Sequence, residues 1–340
     1  MKQKFFMLAA LLGLASCTAP FYPEDPADKN AVRNFDQIWN DFDAYYGLFE
    51  VKHLDWDSLY AVYRPQVQEG TDDEGLYQVV TQMLGHLNDH HITLFPAGTD
   101  LPRWSNDLTN GVFIFDEFDL DVVKTYVSNW HEAGDFLQWG TLADNIGYMH
   151  ISSFPDKIKP VETALEQALN GLKNTRAIVL DIRDCPGGFD PAAQYIAGRF
   201  ATTRSLYMTV RKRNGPKKTD FGPGVEWYVE PTGSSQFTKP VILLTSRATG
   251  SAGETFTWAM NRMETVQQLG DTTSGAFSDN IMRETWNGWM YTISVGDYRA
   301  ADGKSYEGIG VAPDVFCRNE KAEVLAGKDR VLEMAMTLVP

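Results

Sequence analysis

Four short strings in this sequence carry side chains that could do chemistry. The first, Thr249-Gly250-Ser251-Ala252-Gly253-Glu254, lies between the apolar run 241–246 and an amphipathic stretch, which puts Ser251 at or just before a helix N-terminus. Backbone N–H groups and the helix dipole there can stabilise a developing oxyanion. The same Ser-x-x-Glu spacing would equally serve as a capping box. The second, Asp181-Ile-Arg-Asp-Cys-Pro-Gly187-Gly188, reads as a strand entering a glycine turn whose backbone can approach a ligand and present an N–H. An ordinary strand-to-helix turn would look alike, and Cys185 within it is either a thiol nucleophile or a small buried hydrophobe. The third, Asp89-His90-His91, offers a general base near neutral pH or a structural turn histidine. The fourth, residues 306–314, contains Glu307, which could orient that base or decorate an exposed hairpin.

The elements that must position these residues fall into three segments after residue 30. Residues 31–95 read as a helical cap: Phe35, Ile38, Trp39 and Phe42 recur at helical spacing, a second helix follows Asp55, and a third opens with a Thr71/Glu74 capping box. Residues 96–144 read as a small β-rich segment with strands at 111–115, 121–127 and 136–142. Residues 145–340 alternate: strand 145–152, helix 161–172, strand 177–183, helix 191–200, strand 241–246, helix 252–263, then late strands at 289–298. That alternation predicts an α/β core.

Composition narrows the function. The chain has 340 residues, 43% apolar and 22% charged, with a formal net charge of −15. It is globular in composition, and its charge repels nucleic-acid phosphates. Six histidines and three cysteines are too scattered for a metal cage or disulfide framework. His90 and His91 are adjacent and point in different directions, so no metal site is expected. Residues 1–16 pair Lys2 and Lys4 with an apolar run shorter than the roughly 20 residues of a membrane span, which suits a cleaved signal peptide. Its ending, Leu14-Ala15-Ser16-Cys17, resembles a bacterial lipobox with Cys17 as the lipidated first mature residue. Residues 17–30 then form a Pro- and Asp-rich tether. These features predict an exported lipoprotein of the outer membrane or periplasm-facing cell envelope, held to the membrane by lipid only. Cys185 and Cys317 could pair in an oxidising compartment, subject to reach.

In their order along the chain, these strings resemble the tail-specific (C-terminal processing) serine peptidase family. The nearer branch is that of the tricorn protease core and the interphotoreceptor retinoid-binding protein repeats. The resemblance rests on Trp39, Asp55-Trp56, Leu87-Asn-Asp-x-His91, residues 146–151, Asp181-x-Arg183 with Pro186-Gly187-Gly188, Ser251-Ala-Gly-Glu254, Gly270 and residues 307–314. It implies a crotonase-like ββα core with an N-terminal helical cap, no cofactor, and a peptide or protein substrate. Many members use a Ser-Lys dyad, but Ala276 stands at the lysine position, and a methyl group accepts no proton. The implied set is therefore Ser251 as nucleophile, His91 as base and Glu307 as orienter, with backbone N–H groups of Ala252 and Gly187 or Gly188 at the oxyanion. Asp181 and Arg183 are expected to hold the turn in shape. With His91 as base, the acid limb of kcat/KM is expected near the ordinary histidine value of about 6.5. The stretch between His91 and Ile146 is short for the complete PDZ domain that many members carry, so none is expected. The rival reading is a catalytically inactive lipoprotein that uses this fold to bind an apolar ligand or peptide. Oligomeric state is left open.

Overall fold

The computed structural model describes residues 29–106 and 117–340. The signal segment, Cys17, the tether as far as residue 28 and the expected strand at 111–115 lie outside the described residues. The cap comprises α1 (Ala31–Tyr45), α2 (Phe49–Lys52), α3 (Trp56–Tyr63) and α4 (Asp73–Gly85). Its helices start where short acceptors can take first-turn N–H groups: Asp55 accepts from Ser58 and Asp72 from Gly75. The expected Thr71 cap is therefore displaced by one residue. The Thr71 hydroxyl already accepts the Gln68 N–H at 2.8 Å in the preceding turn. Trp39 and Trp56 stack with centroids 6.3 Å apart, and each indole N–H donates to the other residue's carbonyl.

After the cap come β1 (Thr93–Phe95), β2 (Trp104–Ser105), α5 (Leu120–Lys124), β3 (Ser128–Ala133), β4 (Leu137–Leu142) and β5 (Ile146–Ile151). The strand expected at 121–127 is instead α5. Asp119 accepts the Asp121 N–H at 2.8 Å, and this Asp cap overrides the β preference of Val122 and Val123. The core continues with α6 (Ile158–Leu172), β6 (Ala177–Asp181), α7 (Asp190–Gly198), β7 (Ser205–Lys212), β8 (Val225–Val229), β9 (Val241–Thr245), α8 (Ala252–Met260) and β10 (Val266–Gly270). It closes with β11 (Asn280–Glu284), β12 (Met290–Ser294), β13 (Gly296–Ala300), β14 (Val315–Phe316), α9 (Lys321–Leu325) and α10 (Arg330–Leu338).

A seven-stranded mixed sheet runs β14-β10-β9-β6-β5-β4-β3, parallel from β14 to β5 and antiparallel beyond. Its central strands β6 and β9 are buried at every residue, which explains their unbroken apolar runs. Helices α6, α7 and α8 bury one face; α10 covers the other with Val331, Leu332 and Ala335. The antiparallel sheet β11-β12-β1-β2 takes strands from two distant parts of the chain. Trp289, Tyr291 and Ile293 complete the apolar interior of the cap, so the cap rests on residues from the far end of the sequence.

Candidate active site

Ser251 sits between β9 and α8 with φ +52° and ψ −123°, a conformation that a residue with a side chain adopts only under strain. Its side chain makes no capping hydrogen bond, so the capping-box reading fails. The surrounding bonds explain why the strain persists. The Ser251 N–H donates to the Ala276 carbonyl at 2.8 Å, and the Gly250 N–H to the Cys185 carbonyl at 3.1 Å. Gly253, Glu254 and Thr255 N–H groups go to the Gly250 and Ser251 carbonyls. Ala252 N–H is thus left at the start of α8 without a carbonyl partner among the described residues.

The glycine turn lies directly against this corner. A methyl group at Gly187 would fall 2.6 Å from Ser251 Cβ and 2.8 Å from the Ala252 nitrogen, and Gly187 has φ +113°. At Gly188, φ +135°, it would fall 2.2 Å from the Phe154 carbonyl oxygen. Both positions demand glycine; Gly187 brings backbone beside Ser251 and Gly188 beside Phe154. Ser251, Ala252 and Gly187, which sequence reasoning had picked out as candidates, thus lie together.

The segment 273–278 lies between this corner and Glu307. Glu254, fully buried, accepts from Thr273 Oγ1 (2.5 Å), Gly275 N–H (2.7 Å) and Ala276 N–H (2.6 Å). Burial pushes its carboxyl up to about 7 against the lowering effect of these donors. From the other side, Glu307 Oε2 accepts the Phe277 and Ser278 N–H groups at 2.9 and 3.2 Å. His90 meets Ser274 Oγ at 2.7 Å. Two buried glutamates and a cap histidine thus clamp the segment whose Ala276 carbonyl holds Ser251. Ala276 itself is buried.

Asp89, His91 and Glu307 converge beyond that segment: one nitrogen and one oxygen from each carboxylate all lie within 4.8 Å of one another. The His91 N–H donates to Asp89 Oδ1 at 2.9 Å and its carbonyl accepts from Thr292 Oγ1 at 2.5 Å, which fixes the backbone. The ring is less well provided. Among the described residues, His91 Nδ1, Asp89 Oδ2, Glu307 Oε1 and the Tyr46 hydroxyl are buried without a hydrogen-bond partner. Asp89 is 1% exposed and Glu307 5%. Burial and then the Asp89 charge raise the Glu307 carboxyl well above its usual range, while Lys52 opposes them. Burial lowers His91, with Asp89 and Asp279 pulling the other way. The acid limb expected near 6.5 therefore shifts downward.

Other candidates fall away. Cys185 and Cys317 are free thiols, and burial pushes Cys185 up to about 12, far from thiolate reactivity. Asp181 and Arg183 act on shape: the Arg183 guanidinium bridges Asp181 at 2.7 Å and Asp329 at 2.8 Å in the interior. Sequence reasoning assigned no role to Asp89, Tyr46 or Lys52. It saw Glu254 only as a capping partner. The two-residue step from Asp89 to the His91 N–H was the one local signal available. His90 and His91 do diverge, one to Ser274 and the other to the carboxylates of Asp89 and Glu307.

The model of peptidase family S41 matches residues 145–316, and that of the tricorn protease C1 domain matches residues 28–85. Carboxy-terminal processing protease CtpA of Bacillus subtilis (strain 168) is 26% identical over 174 residues, 51% of this chain and 35% of that protein. CtpB of the same organism is 28% identical over 133 residues, 38% and 25% of the two chains. This chain thus spans about a third or less of these relatives' length. The crystal structure of a candidate peptidase from Parabacteroides merdae ATCC 43184 superposes with a TM-score of 0.80 at 25% identity, covering 91% of this chain and 96% of that one. The tricorn protease shares the fold, with a TM-score of 0.56 at 16% identity over 91% of this chain and 36% of that one.

Proposed function

The chain belongs to peptidase family S41, and from that premise we propose that it is a serine-type endopeptidase acting on peptides or proteins by acyl transfer at Ser251. The observation that carries this reading is the strained Ser251 backbone, wedged against Gly187 with the Ala252 N–H left unused. Strain of this kind, at a strand-to-helix turn beside unused N–H groups, is what a nucleophile elbow requires.

In the proposed mechanism His91 takes the Ser251 hydroxyl proton as the oxygen attacks the peptide carbonyl. The Ala252 N–H and that of Gly187 or Gly188 receive the oxyanion; water later releases the acyl group. Burial keeps the His91 ring neutral and able to accept a proton near pH 7. Asp89 and Glu307 then face an imidazolium that did not exist in the resting state. Their unpartnered oxygens complement the charge that forms on the way to the transition state, more than the neutral ring. Glu307 orients His91 from a carboxylate held by two backbone N–H groups.

A fluorophosphonate probe tests this. Label should attach to Ser251, be lost in Ser251→Ala and be lost in His91→Ala with the fold retained. Persistent labelling of His91→Ala at the unmutated rate would remove His91 as base. Absence of any label would favour the inactive binding protein instead. Location at the cell envelope through lipid on Cys17 is part of the proposal, supported by Leu14-Ala15-Ser16-Cys17. Cys17→Ser should move the protein from the membrane pellet to the soluble fraction on detergent fractionation; a mutant still in the pellet would refute the anchor.

A further inference from the structure

We propose that Asp89, His91 and Glu307 form a reversible binding site for a divalent transition cation of the zinc class, whose occupancy switches the base off. The switching half rests on His91 acting as proposed above; the binding half does not. One ring nitrogen and two carboxylate oxygens within 4.8 Å of one another make a three-donor N/O set. That set suits zinc, which takes imidazole and carboxylate ligands at about 2.0–2.2 Å and keeps a fourth position for water. Calcium asks for roughly six to eight oxygens and magnesium for near-octahedral oxygen ligation, which this pocket does not supply.

Independent support comes from how the donors are held. Each carboxylate has one oxygen fixed and one left over. Asp89 Oδ1 takes the His91 N–H and Glu307 Oε2 takes two N–H groups, while Asp89 Oδ2 and Glu307 Oε1 have no partner among the described residues. Such orientation of a ligand through its second oxygen is what metal sites use to aim the first. Both side chains are more than nine-tenths buried, so two acceptors stand in the interior, with the Lys52 charge acting on Glu307. The Lys52 ammonium donates to the Asn88 carbonyl at 2.7 Å. His91 is partly exposed, while its Nδ1 is buried with the two carboxylate oxygens.

The consequence for the reaction follows from the ring. The buried unpartnered nitrogen of His91 is Nδ1. Coordination through Nδ1 occupies that lone pair and puts the ring proton on Nε2, so neither nitrogen can accept a proton from Ser251. Binding displaces any proton on the carboxyl pair to solvent, so affinity falls at acid pH.

Zinc chloride titrated calorimetrically into the full chain carrying Ser251→Ala should show one site per chain, reversed by EDTA. Asp89→Asn, Glu307→Gln and His91→Ala should each weaken it at least about 10-fold, with circular dichroism melts confirming folded protein. Cobalt(II) added to the unmutated chain should give the visible bands of a low-coordinate N/O site, a readout that needs no mutant. In the unmutated chain zinc should suppress fluorophosphonate labelling and EDTA should restore it. No zinc binding to Ser251→Ala would overturn the site. Binding unchanged in all three variants would also overturn it, as adventitious surface zinc. Binding with the expected losses, but no labelling of metal-free protein, would keep the cation site and overturn acyl transfer.

Discussion

Around Ser251 the polar groups are matched. Its N–H, those of the next turn of α8 and the three donors of the 273–276 segment that reach Glu254 have partners at 2.5–3.2 Å, and the backbone exception among the described residues is the Ala252 N–H. Around His91 they are not: His91 Nδ1, Asp89 Oδ2 and Glu307 Oε1 are buried without hydrogen bonds among the described residues. Unmade hydrogen bonds in the interior cost about 1–3 kcal/mol each, so the two regions follow different rules for a reason. The Ser251 corner is finished as it stands, because a strained backbone persists only where its surroundings over-determine it. The His91 pocket lacks one positive charge, which in the proposed reaction proton transfer from Ser251 would supply.

That contrast can be broken from either side. The largest effect is expected at the finished corner: Gly187→Ala drives a methyl into Ser251 Cβ and the Ala252 nitrogen. Labelling should fall by at least about 10²–10³-fold, the scale of a lost oxyanion donor. A Gly187→Ala protein labelled at the unmutated rate would show that the contact is passive. Next comes Glu307→Gln, which keeps the size of the side chain and one acceptor but removes the charge facing imidazolium. We expect kcat to drop by about 10²–10⁴-fold, the range of orienter losses, and an unchanged kcat at saturating peptide would take Glu307 out of the reaction.

Stability should respond more modestly. Glu254→Gln turns one acceptor oxygen into a donor facing an N–H of the 275–276 segment, which should cost about 1–3 kcal/mol in urea unfolding. Because the Glu254 carboxyl is raised in the folded protein, its contribution is fully present below the unfolded value and lost as pH rises through about 7. Glu254→Gln should flatten that decline, and an identical pH slope in the two proteins would refute the assignment. The smallest effect is a displacement of the acid limb of kcat/KM below the usual histidine value of about 6.5, since burial dominates His91. A limb at or above that value would mean that the ring is solvated or governed by its carboxylate neighbours.

What the sequence by itself determined is local. The Ser251 corner between an apolar run and a helix, the Gly187-Gly188 turn beside it, the cap helices and the α/β alternation all follow from spacing, glycine and apolar periodicity within short windows. Even there, neighbouring acceptors redirected details: Asp72 took the cap from Thr71, and Asp119 turned an expected strand into α5. Tertiary structure decided what depends on distant residues meeting in a dry interior. It set strands 93–105 beside strands 280–294 and closed the cap with Trp289 and Tyr291. It also turned Glu254 from a helix cap into a clamp on the 273–276 segment, and brought Asp89 to Glu307. Hydrogen-bond geometry and desolvation depend on which groups face each other across the fold and how little water remains between them. No window of sequence contains that information.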